Sequence, residues 1–342
     1  MGRPIVGITM GDPASIGPEI SLKTFQDQRL YEKCRPLLIG DSNVLEKVMG
    51  ILPDRKLQLN PITNVKDAKF QYGTMDVYDM HEVEISELQF GQVSKMAGNA
   101  AFQYVKKVIE LANAHEVDAT VTNALNKEAM NLAGHHYAGH TEIYGKFTHT
   151  PNYTMMLAHG NLRVVHVSTH VSLRKACDLV KKPRVAECIK LADEVCRNLG
   201  LKNPRVAVAG LNPHAGENGL FGDEEIKEIA PAVAEMRAKG VNVTGPVPAD
   251  TVFAKCHGGM YDIVVAMYHD QGHIPVKVIG FQYDEQKKKW DSVAGINVTL
   301  GLPIIRTSVD HGTAFDQVLK GTANEVSLKN AIDYAVKLAE SK

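Results

Sequence analysis

Three histidines that follow predicted strands are the residues of this sequence best suited to metal chemistry. His170 closes the segment RVVHVSTH, His214 closes RVAVAGLNPH, and His269 follows the apolar run of DIVVAMYHD. Imidazole nitrogen binds zinc and similar divalent ions, and a three-histidine site leaves a coordination position open for a substrate. A single histidine here is more often a core or capping residue. Three histidines, each in a turn rich in Gly, Pro or Asn, make a shared metal site an equal alternative.

Other side chains near these histidines in sequence could act as acids, bases or anion ligands. Asp270 could orient a liganding histidine or act as a base. Lys277 could hold an anion or shuttle a proton, although a solvated surface lysine is the ordinary alternative. The loop LNPHAGENGLFGDEE, which carries His214, is long for a plain strand-to-helix connection. Its glycines permit tight turns that present side chains inward.

Two further turns could contact a ligand. The segment GHTE offers His140 and Thr141 as substrate contacts, or Thr141 as the N-cap of a helix. The segment MGDPASIGPE at residues 10–19 opens the first predicted helix, and a helix N-terminus with glycines is suited to anions. The sequence has no GxGxxG fingerprint followed by an acidic residue, so an ordinary Rossmann cofactor site is disfavoured.

The elements that position these residues follow from hydrophobic patterning. Short apolar runs predict buried strands, at Ile5–Met10, Pro36–Gly40, Val117–Val121, Tyr153–Ala158, Leu162–Ser168, Arg205–Gly210, Ile263–Met267 and Ile304–Thr307. Longer periodic segments predict helices, at Ser94–His115, Ser172–Leu199, Asp223–Lys239 and Ser327–Glu340. The alternation predicts a largely parallel α/β sheet, in which ligands gather beyond the carboxyl ends of the strands. The polar segment Gly280–Ala294 predicts a surface hairpin or loop.

Composition excludes several classes of protein. The 342 residues suffice for two lobes or one elaborated α/β domain. Lys plus Arg total 38 and Asp plus Glu 39, so the charge points to neither nucleic acid nor an acidic membrane as partner. Five scattered cysteines without CxxC spacing predict buried free thiols in a reducing compartment. The N-terminus lacks a signal-peptide pattern and no apolar run approaches ~20 residues, which favours a cytoplasmic enzyme.

Several long blocks of sequence carry a family resemblance. These blocks are ITMGDPASIGPEI, AGHTE, VSTHVSLRK, NPHAGENGLFGDEE, GPVPADT, AMYHDQGHIPVK and NVTLGLPIIRTSVDHGTAFD. Over essentially its whole length the chain resembles the 4-hydroxythreonine-4-phosphate dehydrogenase family of vitamin B6 synthesis. NPHAGENGLFGDEEI and HDQGHIPVK are most similar to its second branch, the D-threonate 4-phosphate and D-erythronate 4-phosphate dehydrogenases. HGTAFD is similar to the HGSAPD segment with which β-decarboxylating dehydrogenases bind the adenine end of NAD.

This resemblance implies an isocitrate-dehydrogenase-like α/β fold with two lobes, a mostly parallel sheet and an active site in the cleft between the lobes. Residues 1–130 with 285–342 would form the first lobe, including an NAD-binding segment at 306–316. Residues 131–284 would form the second lobe, with the metal ligands and dimer contacts. The implied assembly is a homodimer whose active site lies at the subunit interface, with ligands from both subunits. No nucleic acid or membrane partner is implied.

The resemblance also assigns roles to residues of this sequence. His170, His214 and His269 would bind one divalent ion per subunit, which could be zinc, cobalt, magnesium or manganese. The implied substrate contacts are His140, Thr141, Lys277, Asn297 and Arg306. The implied catalytic residues are Asp250, Asp270 and Lys277. The implied contacts to the cofactor, which is NAD with NADP as an alternative, are His311, Gly312 and Asp316.

Two departures from the family pattern bear on these assignments. Ser15 stands where members commonly have glycine, a change that could tighten an anion-binding turn. The excursion at residues 280–294 is longer than the corresponding connection in known relatives. It separates Lys277 from Asn297, so it puts the spatial relation of these two substrate contacts in question.

The implied reaction is NAD-dependent oxidation and decarboxylation of a 4-phosphorylated four-carbon hydroxy acid. D-Threonate 4-phosphate or D-erythronate 4-phosphate would give dihydroxyacetone phosphate and CO2, with the metal favouring loss of the C3 hydride and Asp270 or Lys277 taking the proton. The alternative substrate is 4-hydroxythreonine 4-phosphate, and no residue singles out the C2 substituent.

Other classes of function explain less of the sequence. A metal-dependent hydrolase or aldolase would not need the HGTAFD segment, and an acyltransferase would not need the three histidines. A non-catalytic sugar-acid sensor is disfavoured, because the sequence has no excess of basic residues and no helix-turn-helix pattern.

Overall fold

The computed structural model describes residues 2–52, 57–285, 289–293 and 295–341. The chain divides into two compact units. The first unit comprises the residues up to Pro151 together with Leu302–Glu340, and the second comprises Asn152–Gly301. Across the described ranges, no helix combines the length and the hydropathy that a bilayer span requires. All the cysteines are free thiols, and all except Cys177 are buried, as predicted.

The first unit is built on a parallel sheet. Its elements are β1 Ile5–Thr9, α1 Gly17–Phe25, α2 Gln28–Lys33, β2 Arg35–Gly40, α3 Ser42–Met49, β3 Gln58–Ile62, β4 Thr74–Asp79, α4 Lys95–Asn113, β5 Ala119–Thr122, α5 Lys127–Leu132, α6 His140–Phe147, β14 Arg306–Val309 and α12 Val326–Glu340. The strands lie in the order β3-β4-β2-β1-β5-β14, and each neighbouring pair is parallel. Every residue of β5 is buried, as expected for a central strand of a sheet covered by helices.

The second unit contains a mixed sheet and a separate hairpin. Its elements are β6 Thr154–His159, β7 Leu162–His166, α7 Leu173–Leu179, α8 Lys182–Asn198, β8 Val206–Ala209, α9 Ala230–Ala238, β9 Val243–Val247, α10 Ala249–His257, β10 Ile263–Ala266, α11 His269–Gly280, β11 Phe281–Asp284, β12 Lys289–Val293 and β13 Ile296–Leu300. The order is β13-β6-β7-β10-β8-β9. Strand β6 is antiparallel to both neighbours, whereas β7, β10, β8 and β9 are parallel.

Polar caps begin several of the helices that carry or support the site. The side chain of Ser94 accepts a hydrogen bond from the amide of Ala97 at the start of α4. Asn126 caps α5 in the same way, and Ser172 caps α7. These caps satisfy amides that have no partner within the helix, and each contributes about 1 kcal/mol. Serine and asparagine therefore define where these helices begin.

The predicted helices are confirmed in position but two are interrupted. The predicted helix Ser172–Leu199 is wrong as a single element, because α7 ends at Leu179 and α8 begins at Lys182. Pro183 lies in the first turn of α8, where proline is tolerated, whereas inside one continuous helix its ring would clash with the carbonyl of Leu179 and it would lack the amide hydrogen for the helical bond. The predicted helix Asp223–Lys239 begins with a π-helical turn at Glu225–Ile229 before α9. A π-helical turn of this kind is frequently found at functional sites.

Four strands of the sheet were missed, whereas the hairpin was predicted. Strands β3, β4, β9 and β13 have no counterpart among the predicted strands, and β3 is polar enough to escape an apolar-run criterion. The predicted surface hairpin is confirmed for the backbone, because β11 and β12 pair antiparallel. The side chains of the run Lys287–Lys289 and of Trp290 lie outside the described residues.

Candidate active site

The three candidate metal ligands follow three neighbouring parallel strands. Strand β10 pairs with β7 on one side and with β8 on the other. His170 lies four residues past the end of β7, His269 three past β10 and His214 five past β8. Because the carboxyl ends of parallel strands meet at one edge, all three histidines leave the sheet on the same side.

His170 and His269 come together at this edge. Their ring centroids are 5.6 Å apart. They line a pocket with a volume of about 390 Å³, together with Thr169, Val171, Ser172, Leu173, Ala176, Tyr268 and Asp270. Asp270 Oδ1 lies 2.6 Å from His269 Nδ1. When Nδ1–H donates to this carboxylate, the ring is oriented and Nε2 keeps the lone pair that a metal needs.

His214 stands apart from this pair. Its side chain is exposed, and its ring lies 6.2 Å from the Phe221 ring. In the part of the chain that the structure describes, no three His, Cys, Asp or Glu side chains converge closely enough to hold a metal ion. The donors at this edge suit a borderline divalent cation, since His170 and His269 are close enough to share one ion. A single chain thus brings together two of the three candidate ligands.

The turn that carries His214 has an unusual backbone. It spans Pro213–Gly219, and five successive residues within it have positive φ angles: His214 at 53°, Ala215 at 54°, Gly216 at 81°, Glu217 at 42° and Asn218 at 56°. Residues other than glycine rarely adopt this left-handed conformation. Backbone strain of this kind concentrates at functional sites.

Two histidines behind His269 were not assigned a role from the sequence. His273 stacks on His269 with ring centroids 3.6 Å apart, and His166 lies 4.7 Å from His273. Burial lowers the pKa of His166 to about 4 and is the main cause that lowers the pKa of His273 to about 2. Both rings are therefore neutral near pH 7. The signal in the sequence was the spacing HDQGH, which puts two histidines on one helix face.

Neighbouring residues of α11 fit this arrangement closely. A Cβ on Gly272 would collide with Nε2 of His166 and would lie 2.7 Å from a methyl carbon of Val164. Gln271 joins two strand ends: its Nε2 donates to Gly210 O at 2.8 Å and its Oε1 accepts from Met267 N at 2.7 Å. The motif that carries His269 therefore also ties the end of β10 to the end of β8.

A second group of candidate residues lies in the first unit around Arg306. Its side chain is only 2% exposed, its Nη2 donates to Thr122 Oγ1 at 2.9 Å, and its guanidinium carbon lies 5.7 Å from the centroid of the Tyr144 ring. Tyr144 OH donates in turn to Thr120 Oγ1 at 2.9 Å. Burial lowers the pKa of Arg306 to about 10, so the group stays cationic near pH 7. A buried cation in this position is suited to an anionic ligand.

His140 and Thr141 are the first two residues of α6. The alternative that Thr141 caps this helix is wrong, because the N-cap is Gly139. His140 Nε2 is enclosed and has no hydrogen-bond partner among the described residues. Burial, followed by the charges of Arg306 and Lys127, holds the pKa of His140 well below its ordinary value. A neutral imidazole with an unused nitrogen therefore faces two cations, an arrangement that a bound anion would complete.

The remaining candidate substrate and catalytic residues are more scattered. Asp250 is exposed in the first turn of α10, which packs against the 213–219 turn. Lys277 lies on α11, with Nζ 4.7 Å from the centroid of the Phe281 ring. Asn297 lies in β13, with Nδ2 2.7 Å from Met155 Sδ. The helix that carries Asp250 thus contacts the turn that carries His214, whereas Lys277 lies near Phe281 and Asn297 near Met155.

The candidate cofactor segment lies after β14 in the first unit. His311 Nδ1 is 2.9 Å from Gly312 O, while its Nε2 is buried without a hydrogen-bond partner in the described part of the chain. Burial lowers the pKa of His311. Apart from the adjacent residues in the chain, no described atom lies within 4 Å of where a Gly312 Cβ would stand, and Asp316 is exposed. An open backbone with an unused imidazole nitrogen and a carboxylate fits a dinucleotide.

The turn at residues 10–19 does not offer the anion site that its sequence suggested. Ser15 Oγ accepts from Gly17 N at 3.0 Å and donates to Asp12 O at 2.6 Å. Asp12 Oδ1 accepts from Ala14 N, and the amide of Ile16 donates to Thr313 O. The amides of Ile16 and Gly17 at the start of α1 are therefore occupied by protein groups. Burial raises the pKa of Asp12 to about 6, so near pH 7 most of this carboxylate is still ionised, and its negative charge disfavours an anion beside it.

Comparison with known proteins identifies the family. The model of the family described as "Pyridoxal phosphate biosynthetic protein PdxA" matches residues 32–335. The chain belongs to the PdxA family. It is 46% identical over 346 aligned residues to "Putative D-threonate 4-phosphate dehydrogenase" of Oceanobacillus iheyensis, with 99% of each chain covered. It is also similar to the crystal structure of 4-hydroxythreonine-4-phosphate dehydrogenase from Klebsiella pneumoniae, with a TM-score of 0.85, 46% identity, and 98% and 100% of the two chains covered.

Fold and class follow from this membership. A β-decarboxylating dehydrogenase from Thermococcus kodakarensis shares the fold alone, with a TM-score of 0.50, 12% identity, and 97% of this chain and 83% of that chain covered. The predicted isocitrate-dehydrogenase-like α/β fold is confirmed, and so is the family resemblance. Since the relatives are named as dehydrogenases, this PdxA-family chain is an oxidoreductase.

Proposed function

We propose that this PdxA-family dehydrogenase oxidises and decarboxylates D-threonate 4-phosphate or D-erythronate 4-phosphate, using NAD and a divalent metal ion. The products are dihydroxyacetone phosphate and CO2. The observation that carries the proposal is the delivery of three histidines by the adjacent strands β7, β10 and β8 to one sheet edge. The names of the relatives that are 45–46% identical support the choice of a phosphorylated sugar acid.

The anionic groups of this substrate suit the buried cation of the first unit. The Arg306 guanidinium can donate two parallel hydrogen bonds to a phosphate or carboxylate, and Thr122 already fixes one of its nitrogens. The neutral His140 can donate or accept through Nε2, and Thr141 lies next to it. Because Arg306 is almost fully enclosed, an anion bound there gains more than it would in water.

The histidine edge suits the divalent metal. His170 and His269 would hold the ion together with a third histidine, and Asp270 would keep His269 in the liganding tautomer. When bound, such an ion supplies Lewis-acid polarisation of substrate oxygens. Since Asp270 is engaged with His269, we assign Lys277, in its uncharged amine form, to accept the proton of the C3 hydroxyl; a cation bound nearby would favour that form.

The cofactor segment suits NAD, which supplies the hydride acceptor when bound. His311 Nε2 and the Asp316 carboxylate offer hydrogen bonds to a nucleoside, and the backbone at Gly312 is open to close approach. The amide of Ile16 donates to Thr313 O at 3.3 Å and holds this segment against the first helix. Oxidation at C3 places a carbonyl β to the carboxylate, and CO2 then leaves from that β-keto acid.

We also propose a homodimer that completes the metal site. Apolar side chains near His170 and on α11 are unusually exposed: Leu173 at 62%, Ile274 at 58% and Val278 at 72%. Exposed apolar patches of this kind mark protein interfaces. His170 and His269 are close within one chain, whereas His214 of the same chain stands apart from them. In this proposal the third ligand is therefore His214 of the partner subunit. A second copy of the chain thus supplies what a single chain leaves open.

A substrate panel tests the proposed reaction. Purified enzyme with NAD and a divalent metal is given D-threonate 4-phosphate, D-erythronate 4-phosphate, 4-hydroxythreonine 4-phosphate and unphosphorylated D-threonate. We expect NADH, CO2 and dihydroxyacetone phosphate in equal amounts from a phosphorylated sugar acid, and little NADH from D-threonate. Faster turnover of 4-hydroxythreonine 4-phosphate would assign the enzyme to vitamin B6 synthesis instead. NADH from none of the four would reject the proposal.

A further inference from the structure

The left-handed turn around His214 cannot be maintained by its own residue types. His214, Ala215, Glu217 and Asn218 all have a Cβ, and each adopts a φ between 42° and 56°. A Cβ in this region crowds the following carbonyl, so a run of such residues would relax to right-handed backbone if nothing held it. Some contact outside the run must therefore stabilise the conformation that presents His214.

That contact is the buried carboxylate of Glu225. One oxygen, Oε1, accepts from both Leu211 N and Asn212 N at 2.7 Å. The other, Oε2, accepts from Asn212 Nδ2 at 2.9 Å. The residue is only 3% exposed, so these bonds are shielded from water. Glu225 thus holds both backbone amides at which the chain enters the turn.

Two glycines make room for this carboxylate. A Cβ on Gly216 would lie 2.8 Å from Glu225 Oε2. A Cβ on Gly210 would lie 2.8 Å from Ala215 Cα and 3.2 Å from Glu225 Oε1. The turn is therefore folded closely around the carboxylate. Glu225 itself begins the π-helical turn, which places its side chain toward the loop rather than along the next helix.

We infer that Glu225 is a positioning residue that holds the 213–219 turn in its left-handed form and so aims His214 at the metal. This inference rests on the proposed function, in which His214 is a metal ligand. Glu225 does not contact the metal or the substrate. Its carboxylate acts on the backbone that precedes His214, as supporting residues do around metal ligands generally.

Variants of Glu225 test this inference, with Glu228 as the matched control. Glu225→Ala removes both oxygens, whereas Glu225→Gln keeps a carbonyl for the two amides and turns an amide donor toward Asn212 Nδ2. Glu228 lies in the same π-helical turn, but its carboxylate accepts from Lys182 N and pairs with Lys181. Glu228→Gln therefore changes a carboxylate on this segment without touching the His214 turn.

Two measurements are made on each purified variant. Hydrogen exchange of the peptide covering residues 210–222 reports the turn itself, and titration with Zn²⁺ reports the metal affinity. For Glu225→Ala we expect at least about tenfold faster exchange in this peptide and a 10- to 100-fold loss of zinc affinity. Glu225→Gln should fall between Ala and wild type. Glu228→Gln should match wild type in zinc affinity and in exchange of the 210–222 peptide. In the Glu225 variants, exchange in the first unit should be unchanged.

The two arms separate this inference from the proposed function. Absence of zinc binding by wild-type protein would reject the metal site, while the exchange arm still accepts or rejects the hold of Glu225 on the turn. Wild-type exchange in Glu225→Ala or, where that variant does not fold, in Glu225→Gln would overturn the inference. Faster exchange with unchanged zinc affinity would overturn it as well, because the role of Glu225 would then be structural only.

Discussion

The cation pocket around Arg306 and the histidine edge around His269 differ in how completely a single chain forms each of them. Arg306 is buried, bonded to Thr122 and packed near Tyr144, all within the first unit. At the histidine edge, by contrast, His170 and His214 are exposed. The position of a side chain on a strand is fixed by the fold of its own unit. Metal ligands on loops beyond the strands are held less completely, and their site can be completed by a residue of a second chain.

The largest effect should come from mixing inactive histidine variants. In a two-fold dimer with His214 of the partner subunit in each site, His214→Ala and His269→Ala chains form heterodimers with one intact site. Each variant alone should be inactive, and equal mixtures refolded or co-expressed together should regain about one quarter of wild-type activity. The matched pair His170→Ala with His269→Ala should regain none. Recovery in the second pair would place His170 and His269 in different subunits' sites.

Arg306→Lys should cause the next largest loss. A lysine keeps the charge but cannot donate in parallel from a planar fork, so we expect kcat/KM to fall by about 10²-fold, which corresponds to about 3 kcal/mol. The fall in kcat/KM should come mainly from a higher KM for the phosphorylated acid. Arg205→Lys is the control, since Arg205 pairs with Asp262 on an exposed surface and should show wild-type kinetics. Equal kinetics for Arg306→Lys and wild type would remove Arg306 from the substrate site.

One buried titratable group in each unit, Asp12 in the first and His166 in the second, should respond oppositely to pH. Burial raises the pKa of Asp12 from 3.8 to about 6, so its contribution to stability is present at low pH and is lost as the pH rises through 6. Burial lowers the pKa of His166 from 6.5 to about 4, so its contribution is present above pH 6.5 and is lost as the pH falls through 4. Each shift corresponds to about 3 kcal/mol.

Urea unfolding of metal-free protein across this pH window measures both effects. Relative to wild type, Asp12→Asn should gain stability as the pH rises from about 4 to about 7, because asparagine does not titrate. His166→Leu should gain stability relative to wild type as the pH falls over the same window. If the two differences in unfolding free energy, each between variant and wild type, changed with pH in the same direction, the opposite pKa shifts assigned to Asp12 and His166 would be wrong.

The smallest effect should come from Gly272→Ala. The added methyl group would meet the His166 imidazole and Val164, so we expect a loss of about 1–3 kcal/mol in the free energy of unfolding. Gly312→Ala is the control for stability, because φ there is outside the left-handed region and, apart from the chain neighbours, no described atom would lie within 4 Å of the added carbon. That variant should change stability by less than about 0.5 kcal/mol. Equal effects of the two substitutions would contradict close packing of His166 under α11.

The sequence predicted the strand ends well because buried parallel strands are short apolar runs. The runs before His170, His214 and His269 are β7, β8 and β10. Their adjacency in the sheet is a matter of topology, which periodicity does not report. The left-handed turn was not predictable, since His, Ala and Glu favour right-handed backbone and the bond that holds them comes from Glu225. The contact between the His166 and His273 rings was not predictable either, because it depends on how α11 packs on β7.

Metal dependence of the reaction tests the central claim most directly. The rate of NADH formation from D-threonate 4-phosphate is measured on enzyme as purified, on enzyme stripped by a chelator until no divalent metal remains by elemental analysis, and on stripped enzyme after addition of a divalent ion. The account predicts that activity is lost on stripping and returns with the added ion. An unchanged rate in fully stripped enzyme would contradict a metal held by His170, His214 and His269.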